Sequence, residues 1–505
     1  MSRRRAKRSE RSVVAKPEKV WLRDYSRSIH ARYDAARTSI ENERWWAAAD
    51  GLAARTANSA TVRKVLRQRS RYETHEANSY ARGIVVAKAN DVIGTGAVLQ
   101  VASQDRAWNQ AVELRWNEWT KATLLWQKLW TAFVAYVVDG ETFIERRNNP
   151  KLQGVTLTYE ISEADLWSDP WDVGTDPLYS DGVRIDKHGN VESYKRLRTH
   201  PGESIASMLE PMTVSADAVI HHFRRDRPGQ MRGVPHLTPA LPLFAELRRY
   251  RLATMAAAET AANFAALLYT DAPIEPAEVD AFQMIDLERR ALMSLPSGWK
   301  MEQLRAEHPN TTHFEFVKSV LMEVGRCLLT PLNIALGSSG DYNFSSARLD
   351  YILYWGNCDI ERNNFACCVL DRIWRDWLEE ATLIPGYLPV QQPTDFARHA
   401  WRWPPRYPLD VMEQAQADSV YYNMGHLADE DVFARMAVDA EVQYDKLGRM
   451  VTARMKRGLP LPGEAQTLSH LQRFVTQEQL AGKRLLGPKE VQEQEVENAG
   501  TRTEP

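Results

Sequence analysis

At Asp139-Gly140 the chain changes its hydrophobic repeat, and that change constrains the fold more than any other feature of the 505 residues. Before it, apolar residues recur every three or four positions: Trp126, Leu129, Trp130, Phe133 and Val134 make one stripe, the pattern of a half-buried helix. After it come short alternating or β-branched runs at Glu141–Arg146, Thr156–Ile161, Gly182–Asp186, Val191–Arg198 and Val219–Arg224, separated by Asn-Asn-Pro, Asp-Pro, Asp-Gly and His-Gly-Asn. They predict an antiparallel meander, with Lys187-His188-Gly189-Asn190 as a hairpin turn. Helical patterning on both sides of the strands makes the fold class α+β, mainly helical.

Upstream, Arg27 to Asn90 is helix-rich, with Trp45-Trp46, Val62, Val65 and Leu66 as its apolar faces, and Gln104 to Val138 reads as two helices. Downstream, Pro235, Pro239 and Pro242 crowd the start of a helix that runs to about Ala266. From Ala256 on it is mostly alanine, and such small side chains let copies of one helix approach closely. Leu267 to Asn310 forms a small insert with a strand at Leu267–Thr270, a helix around Pro276–Met293 and a turn at Pro296-Ser297-Gly298. Thr312-x-x-Glu315 is a capping box opening a helix with the stripe Phe316, Val317, Val320, Leu321, Val324 and Leu328, which Pro331 kinks or ends. Gly337 to Asn343 cannot hold a helix and is a loop. Ser345 or Ser346 then caps a long helix carrying Leu349, Ile352, Ile360, Val369, Ile373 and Leu378. A proline-rich bridge, Pro385 to Pro408, leads to two or three helices ending near Arg457.

Charge narrows the function. With 64 Lys plus Arg against 66 Asp plus Glu the chain is no polycation, so any nucleic-acid contact is local. Met1 to Arg23 carries nine basic residues against two acids and reads as a mobile basic arm; the acidic stretch from Gly487 to Pro505 reads as a disordered tail. Cys327, Cys358, Cys367 and Cys368 lack metal or redox spacing and are expected as reduced thiols. The longest uncharged apolar run, Leu129 to Val138, is about half a membrane span, and no apolar core follows the basic N-terminus as in a secretory signal, so an intracellular product is expected.

Motifs for catalysis fall short. Gly482-Lys483 lacks the rest of a phosphate-binding loop, Gly94-x-Gly96 has no third glycine, and Gly337-Ser338-Ser339-Gly340 is no nucleophile elbow. His221 and His222 are neighbours on a strand, so they point to opposite faces and cannot chelate one ion. Asp429-Glu430-Asp431 opens a helix, where the macrodipole favours acids. The expectation is no catalytic residue, no metal and no cofactor.

Several stretches, in order, carry a resemblance: Arg32-Tyr33-Asp34-Ala35-Ala36; Leu66-Arg67-Gln68-Arg69-Ser70-Arg71; His221 with Arg227 to Pro235; Asn343-Phe344-Ser345-Ser346-Ala347-Arg348; Trp377-Leu378-Glu379-Glu380-Ala381; and the Leu409 to Glu441 helices. Together they resemble the lambda-type portal proteins of tailed bacteriophages. The resemblance implies a homo-oligomeric ring, typically dodecameric, at one capsid vertex of the virion, assembled in the host cytoplasm. Its partners would be the double-stranded DNA packaged and ejected through it, the terminase large subunit, the head-tail connector or adaptor, and the major capsid or scaffold protein; no membrane is involved.

The same resemblance divides the chain into a basic flexible arm (1–26), a wing (27–234), a stem helix (235–266), a clip (267–310), a second stem helix (311–336), a tunnel loop (337–344), a long helix returning to the wing (345–408), a helical crown (409–457) and a largely flexible tail (458–505). It makes Ser338, Ser339, Asp341, Tyr342 and Asn343 of the tunnel loop candidates to face DNA. Arg248, Arg249 and Arg251 lie at about 0, 100 and 300 degrees around their helix, so at least one must be exposed, lining the channel or pairing with a neighbouring subunit. Glu288, Arg289, Arg290, Lys300 and Arg305 of the clip are candidates for partner contact. Two other readings compete: a metal-dependent nuclease or hydrolase with a site assembled from scattered Asp, Glu and His, and an adaptor that holds DNA through the basic arm alone.

Overall fold

The computed structural model describes residues 51–172, 174–203, 210–263, 267–270, 299–302, 312–340, 342–406, 411–436 and 440–459, with 44, 46, 47, 49 and 438 besides. The basic arm, the acidic tail, Arg32 to Ala36 and most of the insert lie outside them. The chain divides into two units, residues 1–57 and 58–505. The described part of the first holds one helical turn, α1 (Ala54–Ala57).

In the second unit, α2 (Ala60–Arg71) continues through a π-helical turn, Tyr72–Ala77, to α3 (Ser79–Val92). Asn78 caps α3, its side chain accepting from the amides of Tyr80 and Ala81. Gly94 and Gly96, both at positive φ, turn the chain into β1 (Val98–Val101). The next two helices are α4 (Arg106–Ala122), capped by Asp105, and α5 (Leu125–Asp139), ended by Gly140 at φ 84°. Leu129, Phe133, Tyr136 and Val137 of α5 are buried, and Trp126, Trp130 and Val134 pack at the edge of the same core, as their spacing predicts.

The strands form two sheets instead of one meander. In the first, β2 (Glu141–Asn148) sits between β3 (Leu157–Ser162) and β8 (Val219–Phe223). In the second, β4 (Tyr179–Ser180), β5 (Val183–Ile185), β6 (Val191–Leu197) and β7 (Pro211–Ser215) run in chain order. The return from β7 to β8 carries the chain back to the first sheet, a long-range pairing that alternation alone does not encode. The 187–190 hairpin forms as expected, with Asp186 and Asn190 hydrogen-bonded across it.

A short 3-10 turn, Thr238–Ala240, holds Pro239, and Pro242 is tolerated in the first turn of α6 (Leu241–Asn263). β9 (Leu267–Thr270) and β10 (Trp299–Glu302) pair antiparallel and are the described part of the insert. α7 (Thr312–Cys327) packs on α6 through Leu247, Val317 and Leu321. It ends before Pro331: the amides of Leu329 and Thr330 reach back to the carbonyls of Arg326 and Gly325, with Leu329 at φ 53° where such a cap usually has glycine. α8 (Leu332–Leu336) follows, closed by Gly337. Then α9 (Phe344–Phe365), a π-helical turn (Ala366–Leu370) and α10 (Asp371–Leu383) make one long run. Asn343 caps α9 rather than Ser345 or Ser346: its side chain accepts the Ser346 amide at 2.9 Å, while the Ser346 hydroxyl donates to the Asn343 carbonyl. β11 (His399–Arg402) pairs with β1, and α11 (Val411–Asn423), α12 (Asp429–Arg435) and α13 (Ala440–Lys456) complete the described chain.

The main core lies among α3, α4, α5, α9, α10 and the first sheet. At its centre Trp116 meets Trp119, Trp374, Trp377 and Trp401 with ring centroids 5.1 to 5.7 Å apart. Glu380, within one of the stretches that carries the resemblance, accepts from both the amide and hydroxyl of Thr156, tying α10 to the start of β3. All four cysteines are free thiols.

Candidate functional site

Two stretches of the resemblance meet, Leu66–Arg71 on α2 and His221 with Arg227–Pro235, and build one buried node of ion pairs. Arg63, Arg67 and Arg71 recur every four residues and share one face of α2. That face is the buried one. Arg63 and Arg67 are 1% and 3% exposed, whereas Val62 and Val65, two of the residues read as apolar faces, are 42% and 39% exposed. The inversion has an electrostatic cause: the strands and their turns present carboxylates to this face, and a buried guanidinium is tolerated only when paired.

Glu141, the first residue of β2, is the centre. Its Oε1 accepts from Arg67 at 3.2 Å and Arg232 at 2.7 Å; its Oε2 accepts from Arg232 at 2.9 Å, His221 at 3.0 Å and the Gly233 amide at 2.9 Å. Arg232 reaches on to Asp181 at 3.2 Å, Arg63 pairs with the same carboxylate, and Arg67 also holds Asp165 at 2.9 Å. Arg71 grips Asp139 through two 2.7 Å bonds and Asp165 at 2.8 Å. Burial by itself would raise the Glu141 carboxyl, but the charge of Arg232 and the bonds from His221 and Arg232 outweigh it and hold Glu141 well below the usual carboxylate range. Asp181 is lowered in the same way by Arg232 and Arg63 against its burial. Burial lowers His221, despite its bond to Glu141, so a neutral imidazole donates to an ionised carboxylate.

Register makes this possible: Phe143 lies opposite His221 in the β2–β8 ladder, and Glu141 shares the face of Phe143 two residues away. Phe143 stacks between His221 and Trp167, at 4.2 and 4.9 Å, with the Arg232 guanidinium 5.3 Å from its centroid. The backbone fits equally closely. A Cβ on Gly233 would lie 2.1 Å from the Gly140 carbonyl oxygen, so the Arg227–Pro235 stretch can cross the α5–β2 corner only with glycine there. As the strand geometry predicts, His222 points the other way, its ring tilted against Tyr136 with centroids 4.4 Å apart.

Arg232 and Gly233 of the node lead in sequence to the 3-10 turn and α6. On α6, Phe244 and Leu247 are buried, Arg248 is half-buried, and Arg249 and Arg251 are exposed. Arg248 donates to Glu73 at 2.6 Å and lies over the Tyr72 ring at 5.2 Å, so it is engaged within the chain. In the loop after α8, Ser338 and Ser339 are exposed, Tyr342 is half-buried, and the exposed Asn343 is committed to capping α9. Asp341, Glu288, Arg289, Arg290 and Arg305 lie outside the described residues, and Lys300 is placed only as a residue of β10. Sequence reasoning brought none of these groups together with the node, which it missed; the four-residue spacing of Arg63, Arg67 and Arg71 ahead of Asp139-Gly-Glu141 was the available signal.

Other chemistry is occupied. Glu163, Asp165 and His200 bring ligand atoms within 4.8 Å of one another. Arg67 and Arg71 already bind Asp165, and Arg71 and His200 bind Glu163, so guanidinium groups stand where a cation would. Among the described residues no helix is long and apolar enough to cross a membrane.

A different face is left uncovered. Leu349, Ile352, Leu353 and Ile360 of α9, three of them named from the sequence as apolar positions of the long helix, are each more than half exposed, and Gly356 in the same row faces open space. They recur at helical spacing, so they form a stripe rather than scattered contacts. Leu252 and Met255 add exposed apolar surface on α6, and Phe316 on α7.

Comparison with known proteins places the chain. No curated protein matches it. Among solved structures it is similar to a protein in the neck of a native GTA particle computed with C12 symmetry, at 11% identity and TM-score 0.43, covering 75% of this chain and 94% of that one. It is also similar to one in the neck of an empty GTA particle computed with C6 symmetry (11%, 0.43, 73% and 92%) and one in the virion of the native gene transfer agent particle (11%, 0.39, 75% and 99%). The model for phage portal proteins of the lambda family matches residues 41–362, which contain the whole Arg–Glu141 node, both helices α6 and α7, and the loop to α9. The chain belongs to the lambda family of phage portal proteins.

Proposed function

We propose that twelve copies of this chain close into a ring at one capsid vertex and form the channel through which duplex DNA is packaged and later ejected. The observation that carries the reading beyond family membership is the exposed apolar stripe of α9. A head-to-tail contact, which closes into a ring when its rotation permits, buries an apolar row on one copy against a different face of the next. Leu252, Met255 and Phe316 on α6 and α7 offer such a second face.

In this reading the chain is a conduit without catalysis. A channel must pass DNA without trapping it, and affinity for phosphates grows with each neutralising cation. A net charge of -2 repeated around a ring suits sliding. Ser338, Ser339, Asp341, Tyr342 and Asn343 face the bore; Arg249 and Arg251 face the channel or a neighbouring subunit, while Arg248 braces α6 against Glu73. The insert, with Glu288, Arg289, Arg290, Lys300 and Arg305, docks the terminase large subunit and then the head-tail connector, and the outer body meets the major capsid or scaffold protein. The site of action is the virion vertex, after assembly in the host cytoplasm.

The test is the triple variant Leu349→Ser, Ile352→Ser, Ile360→Ser. These side chains contribute little to the isolated subunit because they are already solvent-exposed. Sedimentation and negative-stain imaging should show rings for the parent chain and folded single subunits for the variant. Rings of undiminished yield from the variant overturn the assembly surface; a single-subunit parent that cleaves DNA when given a divalent metal overturns the function.

A further inference from the structure

Between α3, α5, the end of α7 and α9 lies a cavity of about 140 Å3, which shares with the assembly stripe above only Ile360 on its wall. Its titratable wall groups are Lys88, Arg224, His236, Glu361, Tyr136 and Cys327. Two of these stand out as buried: Lys88, whose amine donates to a thiol and has no carboxylate beside it, and His236, whose Nε2 has no partner. Lys88 is 4% exposed; its amine lies 3.6 Å from the Cys358 sulfur and 5.0 Å from the Tyr354 ring centroid, and among the described residues no carboxylate pairs with it. His236, also 4% exposed, has an Nε2 that meets no hydrogen-bond partner. A buried amine without a carboxylate and a buried imidazole nitrogen without a partner are each unfavourable unless something in the cavity serves both.

The remaining groups do not serve them. Glu361 is half-buried and accepts from the Tyr136 hydroxyl at 3.3 Å, and Arg224 turns outward to Asp226 at 2.6 Å. Burial, then the positive charges of Arg224 and Lys88 together with His222, push His236 well below its ordinary value, as expected where basic groups are in excess. At about 30 Å3 per water, the space is that of four or five waters: room for one small oxyanion and not for a nucleotide.

We infer that this cavity is a binding site for a small oxyanion of the phosphate class, held by the Lys88 amine and the His236 Nε2–H. Occupancy joins α3 and α5 to the strained Leu329 cap that ends α7, since Leu329 lies on the cavity wall.

The experiment uses the full chain with inorganic phosphate as probe, sulfate as competitor and sodium chloride at matched ionic strength as control. Phosphate should broaden its 31P resonance saturably in the millimolar range, sulfate should reverse the broadening, and the thermal midpoint should rise by several degrees beyond the chloride control. Lys88→Met keeps the volume of the side chain and removes the donor; it should abolish the saturable component. His236→Phe removes the unpartnered Nε2, should weaken binding several-fold, and stands in if Lys88→Met does not fold. Saturable binding that survives these substitutions unchanged, broadening that never saturates, or a density map in phosphate with only water within reach of Lys88 and His236 overturns the assignment.

Discussion

Glu141→Gln is the sharpest test of the node that holds α2 to the first sheet. The substitution keeps the shape of the side chain and deletes one charge. It leaves Arg67 and Arg232, 3% and 1% exposed, facing a neutral amide that cannot accept all five of the bonds Glu141 receives. Removing one partner of a buried ion pair costs about 3–5 kcal/mol, chiefly because the surviving charge remains in a low-dielectric site. Asp181 and Asp165 share the guanidinium groups, which argues for the lower half of that range. The assay is urea unfolding of the unassembled chain, followed by circular dichroism and tryptophan fluorescence together so that a non-coincident transition is visible. A cycle with Arg232→Met adds a second measure: residues in one buried network couple by about 0.5–3 kcal/mol, so the double variant should lose less than the sum of the singles. A Glu141→Gln cost under about 1 kcal/mol, or singles that simply add within about 0.5 kcal/mol, would refute the reasoning.

Two further outcomes follow from the same packing. Burial, with a smaller push from His221, lowers His222 from 6.5 to about 4, so between those pH values the unfolded chain binds a proton that the folded chain does not, and stability falls as pH falls through that window. At about 1.36 kcal/mol per unit the share of His222 is about 3 kcal/mol, and urea midpoints measured from pH 7 to pH 4 should fall less steeply in His222→Phe than in the parent. Leu329 sits at φ 53° with its side chain 48% exposed, so Leu329→Gly relieves backbone strain and should raise stability by about 0.5–1 kcal/mol, read as a higher urea midpoint at unchanged slope.

How much of this was legible in the sequence depends on where a residue's partners come from. The α5 stripe and the 187–190 hairpin are decided by residues within a few positions of one another, and both form as read. The apolar residues of α2 divide: Leu66 packs on the core, while Val62 and Val65 are exposed and Arg63 and Arg67 are buried by carboxylates from Glu141, Asp165 and Asp181, roughly 75 to 120 positions later in the chain. No local pattern specifies such a pairing. The split into two sheets has the same origin, since the return of β8 to β2 is a long-range register. Along the run from α9 to α10 the apolar residues read from periodicity divide: Val369, Ile373 and Leu378 are buried, while Leu349, Ile352 and Ile360 are exposed. Periodicity shows that a face is apolar and leaves open whether the surface that covers it belongs to the same chain.

The central claim, a closed ring with residues 338–343 toward its bore, is tested most directly by an electron cryomicroscopy map of the assembled full chain. It should show twelve subunits around a channel wide enough for a duplex, with the α9 stripe buried against the next copy and the loop before α9 at the inner wall. A chain that stays a single subunit at high protein concentration, or a ring that carries this loop on its outer rim, would contradict it.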